Sequence, residues 1–256
     1  MRSFLIVTRL SAQRRNEVLL VLGVSLGQSA IYALVSLIAK LTAEKPLSQQ
    51  AARLNTSLAP GRPWLDLTYQ ILAIFFDLVP VMLAWHLLNR DPGNARGLLG
   101  VDTRKWRFDI GVGVALAAAI GIPGLGLYFA GRALGINANV VPSGLPDIWW
   151  AVPILVLAAV QNSILEEVVV VGYLVTRLRT AWTLPMVIAT SAILRGAYHL
   201  YQGFGAFIGN ALMGIVFALV FLKWQRIVPL VVAHTLLDVV AFVGYVIAVK
   251  YLNWTA

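Results

Sequence analysis

An all-α, polytopic transmembrane helix bundle is the fold class this sequence predicts, on three observations. The 256-residue chain is 59% hydrophobic and 12% charged, against about 45–50% apolar and about 25% charged in soluble domains. Its mean hydropathy is +0.81. Apolar runs of roughly 20 residues, the length an α-helix needs to cross a bilayer, recur along the whole chain, without the alternating short strands of a membrane β-barrel.

About 7–8 spans are expected. Seven can be delimited, at about 17–39, 67–88, 109–131, 150–175, 183–201, 204–222 and 227–250. The segment MRSFLIVTRLSAQRR ahead of them has too short an apolar core for a cleavable signal peptide. A cytoplasmic N-terminus puts Arg2, Arg9, Arg14, Arg15, Arg90, Arg96, Arg104, Lys105, Arg107, Arg177, Arg179, Lys223 and Arg226 inside. Only Lys40, Lys45, Arg53, Arg62, Arg132 and Lys250 then fall outside, which is the bias that orients membrane proteins. The net charge of +9 is thus an orientation signal. Its cations are scattered between apolar runs with no nucleic-acid motif, so no nucleic-acid partner is expected. Cysteine is absent, which excludes disulfides, thiol catalysis and Cys-ligated zinc.

Residues 41–66 read as a long polar loop punctuated by Pro46, Pro60 and Pro63. Residues 89–108 carry RGLLGVDTRKWRFD and read as a basic amphipathic segment lying on the inner surface. Trp149 and Trp150, at the outer mouth of the fourth span, suit an aromatic belt. GAFIG, from Gly205 to Gly209, is a GxxxG and reads as a close helix-packing site. No repeat, linker or second domain is visible, so 1–256 reads as a single integral membrane domain.

Ionisable groups at membrane depth are costly and by default mark a site, a relay or an internal ion pair. The spans hold Asp77, His86, Glu166, Glu167, Arg195, His199, His234 and Asp238, including every histidine of the chain. Asp77 is a single acid and His86 lies near a span end, so both read as structural groups. The other six come from the fourth, fifth and seventh spans and read as a site. Arg195 and His199 share a helix face, as do His234 and Asp238. Adjacent Glu166 and Glu167 point about 100° apart on a helix, so they are expected to face different partners, one the chemistry and the other a cation. HExxH, the usual zinc-helix signature, is missing. A divalent metal such as zinc held by the carboxylates and imidazoles is one arrangement. The other is metal-free, with a carboxylate as general base on water and imidazoles stabilising an oxyanion. No serine sits in a nucleophile motif. A proton-coupled transporter would use such groups as a relay, but the repeats and broken helices expected of one are not visible.

EEVVVV at 166–171, RGAYH at 195–199 and HTLLD at 234–238 together resemble the motifs EExxxR, FxxxH and HxxxN or HxxxD of one family. It is the CAAX protease and bacteriocin-processing family, also called the Abi family of intramembrane proteases. The resemblance covers about 149–240, in the family's order. It implies an intramembrane endopeptidase that hydrolyses a peptide bond in a membrane-associated protein or peptide, lipidated or not, in a bacterial plasma membrane. A non-catalytic scaffold or immunity protein that kept the fold is the alternative. The resemblance further implies that Glu166 is the general base, with His199 helping to hold the water. His234 would stabilise the oxyanion with Asp238 at the Asn position, Glu167 would support the site, and no cofactor is needed.

Two departures accompany it. Val171 stands at the motif arginine and Arg195 at the motif phenylalanine, so Arg195 is expected to supply from the fifth span the cation that pairs with Glu167. An ionised Asp238 would donate no hydrogen bond, so Asp238 is either protonated by desolvation or an orienter of His234. Depth presents a tension. Counting along the helices puts Glu166 about 24 Å from Trp150 and His234 about 10 Å from the start of its span, both toward the cytoplasm, but His199 toward the outer face.

Overall fold

A computed structural model describes residues 10–90 and 94–252; Arg2 and Arg9 of the orientation pattern lie outside them. The first span is a bent pair, α1 (Ala12–Gly23) and α2 (Leu26–Leu41), which meet at 52°. Ser25 Oγ donates to the Val21 carbonyl at 2.5 Å at the break, the kind of back-bond that bends helices. Ser11 caps α1 by accepting from Arg14 N–H. Then follow α3 (Pro63–Asp77) and α4 (Val79–Asn89), the short α5 (Asn94–Leu98), and α6 (Trp106–Ala133). Next comes one continuous helix made of α7 (Ala151–Glu166), a π-helical stretch Glu167–Tyr173 and α8 (Leu174–Leu178). The chain ends with α9 (Leu184–Ala197), α10 (Phe204–Trp224) and α11 (Val228–Leu252).

Among the described residues, Pro63–Asn89, Trp106–Ala133, Ala151–Leu178, Phe204–Trp224 and Val228–Tyr251 are long and apolar enough to cross a membrane. The bent first pair makes a sixth if its two helices are one span. The expected 7–8 spans thus come down to 5 or 6, because α9 has only 14 residues, about 21 Å of helix. Its chain turns through a 3₁₀ turn at Leu200–Gln202 into Gly203, whose φ of 117° suits only glycine.

Small residues set the spacing of the later helices. A Cβ on Gly113 would lie 2.5 Å from Val232 Cγ1, so α11 lies close against α6. A Cβ on Gly214 would lie 2.9 Å from Ala192 Cα and 3.3 Å from Arg195 Cδ, which brings α10 hard against α9. Gly214→Val is therefore expected to cost about 1–3 kcal/mol, read as a lower melting temperature in detergent. Melting unchanged from the native protein would mean that α9 can move aside. In GAFIG, a Cβ on Gly205 would meet Asn137 Oδ1 at 2.6 Å and one on Gly209 would meet Leu127 at 3.2 Å. That stretch packs closely against the end of α6 and the turn after it.

The two loops differ from their expectation. Residues 41–66 hold β1 (Ala51–Arg53), which pairs in parallel with β2 (Asn139–Val141). Leu47, Ala52 and Ala138 form a small core with Leu37, on which Leu200 and Tyr201 pack. The loop is a folded cap. The segment 89–108 does not merely lie along a surface, because Leu99 is fully buried in the main core and meets the space left by Gly172. Arg226 ties it down further, with a fork onto Asp109 at 2.7 and 2.6 Å and a bond to Asp102 at 2.9 Å. That guanidinium holds the Asp102 carboxyl below the usual carboxylate range. Trp150 is also a correction: it is buried with Ala151 and Ile154 against Leu67 and Ile74, because α3 covers its face of α7. Only Trp149 is exposed, edge-to-face with Trp64 at 6.4 Å.

Candidate active site

Polar residues interrupt the last turns of α7, as Gln161-Asn162-Ser163 and then Glu166. Ser163 Oγ and Thr235 Oγ1 share a hydrogen bond of 2.6 Å, which fixes α7 against α11 at this level. Beyond Glu166 the helix widens into its π-helical stretch, a feature frequent at functional sites. Val168–Val171 are buried there in the main core. Ser191 Oγ of α9 donates to the Val170 carbonyl at 3.1 Å, satisfying a backbone group within the stretch.

Six of the residues singled out from the sequence converge at this point. Glu167 is fully buried, and its Oε1 accepts a hydrogen bond from Arg195 Nη2 and another from His234 Nδ1 at 2.7 Å. Arg195 is fully buried too, with its guanidinium 5.1 Å from the centre of the Phe217 ring. Glu166 Oε2 lies 3.6 Å from the same Arg195 nitrogen and 3.9 Å from His234 Nε2. His199 Nδ1 lies 3.0 Å from the Arg195 carbonyl, and His199 and Glu166 act on each other electrostatically. Asp238 Oδ1 is 3.7 Å from His234 Nε2, and Asp238 also accepts a hydrogen bond from Asn162. Asp77 and His86 stay exposed on the α3–α4 side, away from the cluster.

Two expectations need correction. Glu166 and Glu167 do not face different partners, since both reach Arg195 and His234. Their long side chains converge where the coil changes from α to π, so the 100° fan of a regular helix no longer governs them. His199 is not stranded near the far face, because α9 stops short and delivers it to the level of Glu166.

The orientation of the imidazoles follows from their partners. A carboxylate and a carbonyl only accept, so Nδ1 carries the proton in both His234 and His199. In each ring Nε2 is left free of that bond. In His234 it faces the space between Glu166 and Asp238.

Two neighbours were not singled out from the sequence. Tyr198 OH donates to Glu166 Oε2 at 2.7 Å, and its ring lies against His199 with centroids 4.8 Å apart. Asn162 bonds Asp238. Both were visible as polar residues beside or four positions from a buried ionisable group, where a hydroxyl or amide must find a partner.

Glu166, Glu167 and His234 each offer a ligand atom, all within 4.8 Å of one another, a spacing that one divalent ion could bridge. The fit is poor, however. Arg195 already occupies the carboxylate cluster, and a divalent cation beside a buried guanidinium meets strong repulsion at low dielectric.

A family model described as type II CAAX prenyl endopeptidase, Rce1-like, matches residues 148–240, the stretch that contains every residue of this cluster. No curated protein and no solved structure matches the chain.

Proposed function

We propose that this chain, a member of the Rce1-like CAAX prenyl endopeptidase family through residues 148–240, cleaves a peptide bond in a membrane-associated protein or peptide with water activated by Glu166. The observation that carries this reading is the convergence of Glu166, Glu167, Arg195, His199 and His234 at one buried point. Arg195 and His234 hold Glu167 from two sides, so its charge is compensated. Glu166 keeps one oxygen, Oε1, outside the Tyr198 hydrogen bond.

In this mechanism a water molecule sits between Glu166 Oε1 and His199 Nε2. Glu166 takes its proton as the oxygen attacks the scissile carbonyl carbon. The oxyanion is stabilised by an Nε2–H that His234 gains as a second proton, which the carboxylates of Glu167, Glu166 and Asp238 around the ring favour, and Asp238 beside that nitrogen orients it. Glu166 then returns the proton to the leaving nitrogen as the carbon–nitrogen bond breaks. No metal takes part. Val171 in place of the motif arginine favoured a non-catalytic scaffold, but Arg195 supplies a cation to Glu167, which weakens that alternative.

The test uses purified protein in lipid with quenched-fluorescence peptides, some carrying a lipid near the C-terminus. Cleavage that survives chelators and disappears in Glu166→Ala is the expected result. Silence across the library, or cleavage unaffected by that substitution, would return the reading to the scaffold; loss on chelation would overturn the metal-free step. Tyr198→Phe removes a hydrogen bond to a charged group, worth about 1.5–3 kcal/mol. It is expected to lower kcat roughly 10- to 100-fold with little change in KM, measured on the same peptides.

A further inference from the structure

The end of the bundle where α6 begins and α10 finishes carries a group of exposed cations. Trp106, the first residue of α6, is 55% exposed, and Phe108 beside it stands edge-on to Trp224, the last residue of α10, at 5.3 Å. Aromatic rings at the ends of two neighbouring spans, those of Trp106 and Phe108 exposed and that of Trp224 partly so, sit where headgroups meet hydrocarbon. Around them lie the exposed Arg104, Lys105, Arg107 and Lys223. Arg107 stacks its guanidinium 5.3 Å from the Trp106 ring, and Lys223 Nζ is 5.1 Å from the Trp224 ring.

None of the four forms a salt bridge among the described residues. The acids close to them in sequence, Asp102 and Asp109, are both held by Arg226. Three cations at the opposite end are engaged: Arg132 donates to the Ser48 carbonyl, Lys40 to the Ala51 carbonyl, and Lys250 pairs with Asp147. The Arg226 clamp also fixes the 102–109 segment to the turn between α10 and α11, so the cations stand on a preorganised frame.

We propose that Arg104, Lys105, Arg107 and Lys223 form a binding surface for the headgroups of anionic phospholipids. The aromatic rings hold these cations in the plane of the bilayer surface, where the available anion is a lipid phosphate. Basic residues at that depth are attracted to anionic leaflets, each worth about fivefold in association.

The test is mass spectrometry of the intact, delipidated protein in detergent, titrated with dioleoyl phosphatidylglycerol or dioleoyl phosphatidylcholine. The native protein is expected to retain the anionic lipid more than tenfold better. The triple variant Lys105→Gln, Arg107→Gln, Lys223→Gln is expected to lose that preference to within twofold while melting at the native temperature. A control variant, Lys45→Gln with Arg62→Gln, removes charge elsewhere and is expected to keep the preference. Equal retention of both lipids by the native protein overturns the proposal. So does a preference that survives the triple variant, or one that the control variant loses equally.

Discussion

Replacing Arg195 by leucine is expected to destabilise the bundle by about 3–5 kcal/mol, the usual consequence of removing one partner of a buried ion pair. Glu167 is fully buried, and without the guanidinium its carboxylate keeps only His234. Leucine fills much of the volume beside Phe217 and Gly214, so the loss comes mainly from the charge left behind. The matching prediction concerns the pair. Arg195→Leu combined with Glu167→Leu removes both charges and is expected to recover most of the stability, since buried pairs replaced by apolar residues are often nearly neutral. Thermal or denaturant unfolding in detergent measures both variants against the native protein. A single Arg195→Leu variant as stable as the native protein would show that the pair does not hold the helices together. Recovery of stability in the double variant without recovery of cleavage would separate the structural part of the pair from its part in the site.

Glu166→Gln is expected to lower cleavage roughly 100- to 10,000-fold, the range that a general base contributes, and to leave the fold intact. Glutamine keeps an oxygen to accept the Tyr198 hydroxyl, which now binds Glu166 Oε2, but it cannot take a proton from water. Glu166→Asp should fall between the two, because the carboxylate survives but withdraws by one methylene from its partners. Single-turnover measurements on a cleaved peptide separate these effects from binding. If Glu166→Gln cleaves within tenfold of the native rate while Glu167→Gln does not, the two glutamates exchange roles.

Hydropathy alone located the stretches that become helices, because a bilayer demands long runs of apolar side chains. What it missed lies on a smaller scale. The run 183–201 looks like a full span, yet α9 ends at Ala197 and the rest turns back through Gly203; apolar residues on a turn register as strongly as those on a helix. The π-helical stretch at Glu167–Tyr173 leaves no periodic trace in a run of valines. Without it, the two glutamates could only be read as diverging. The strands β1 and β2 have three residues each, too short for alternation, and their partners are remote. The acids, histidines and Arg195 were legible as a cluster because charge at membrane depth needs compensation. Tyr198 and Asn162 carried only the weak signal of their positions beside or four residues from such a group, since a hydroxyl and an amide are inexpensive enough to occur anywhere.

The pairing of β1 with β2 also dictates an order of events as the chain is made. Asn55 Nδ2 bonds the Pro142 carbonyl, 87 positions further along, so the first long loop has no partner when it is synthesised. At about 5–20 residues per second it waits roughly 4–17 s. In that interval α3, α4 and α6 must be inserted. Every residue of the glutamate and histidine cluster follows β2 in sequence, so the cap over Leu200 and Tyr201 can close before the residues beneath it exist. Chains that end just after residue 145 and are released into membranes should therefore already protect 51–53 from protease, and chains that end before 139 should not.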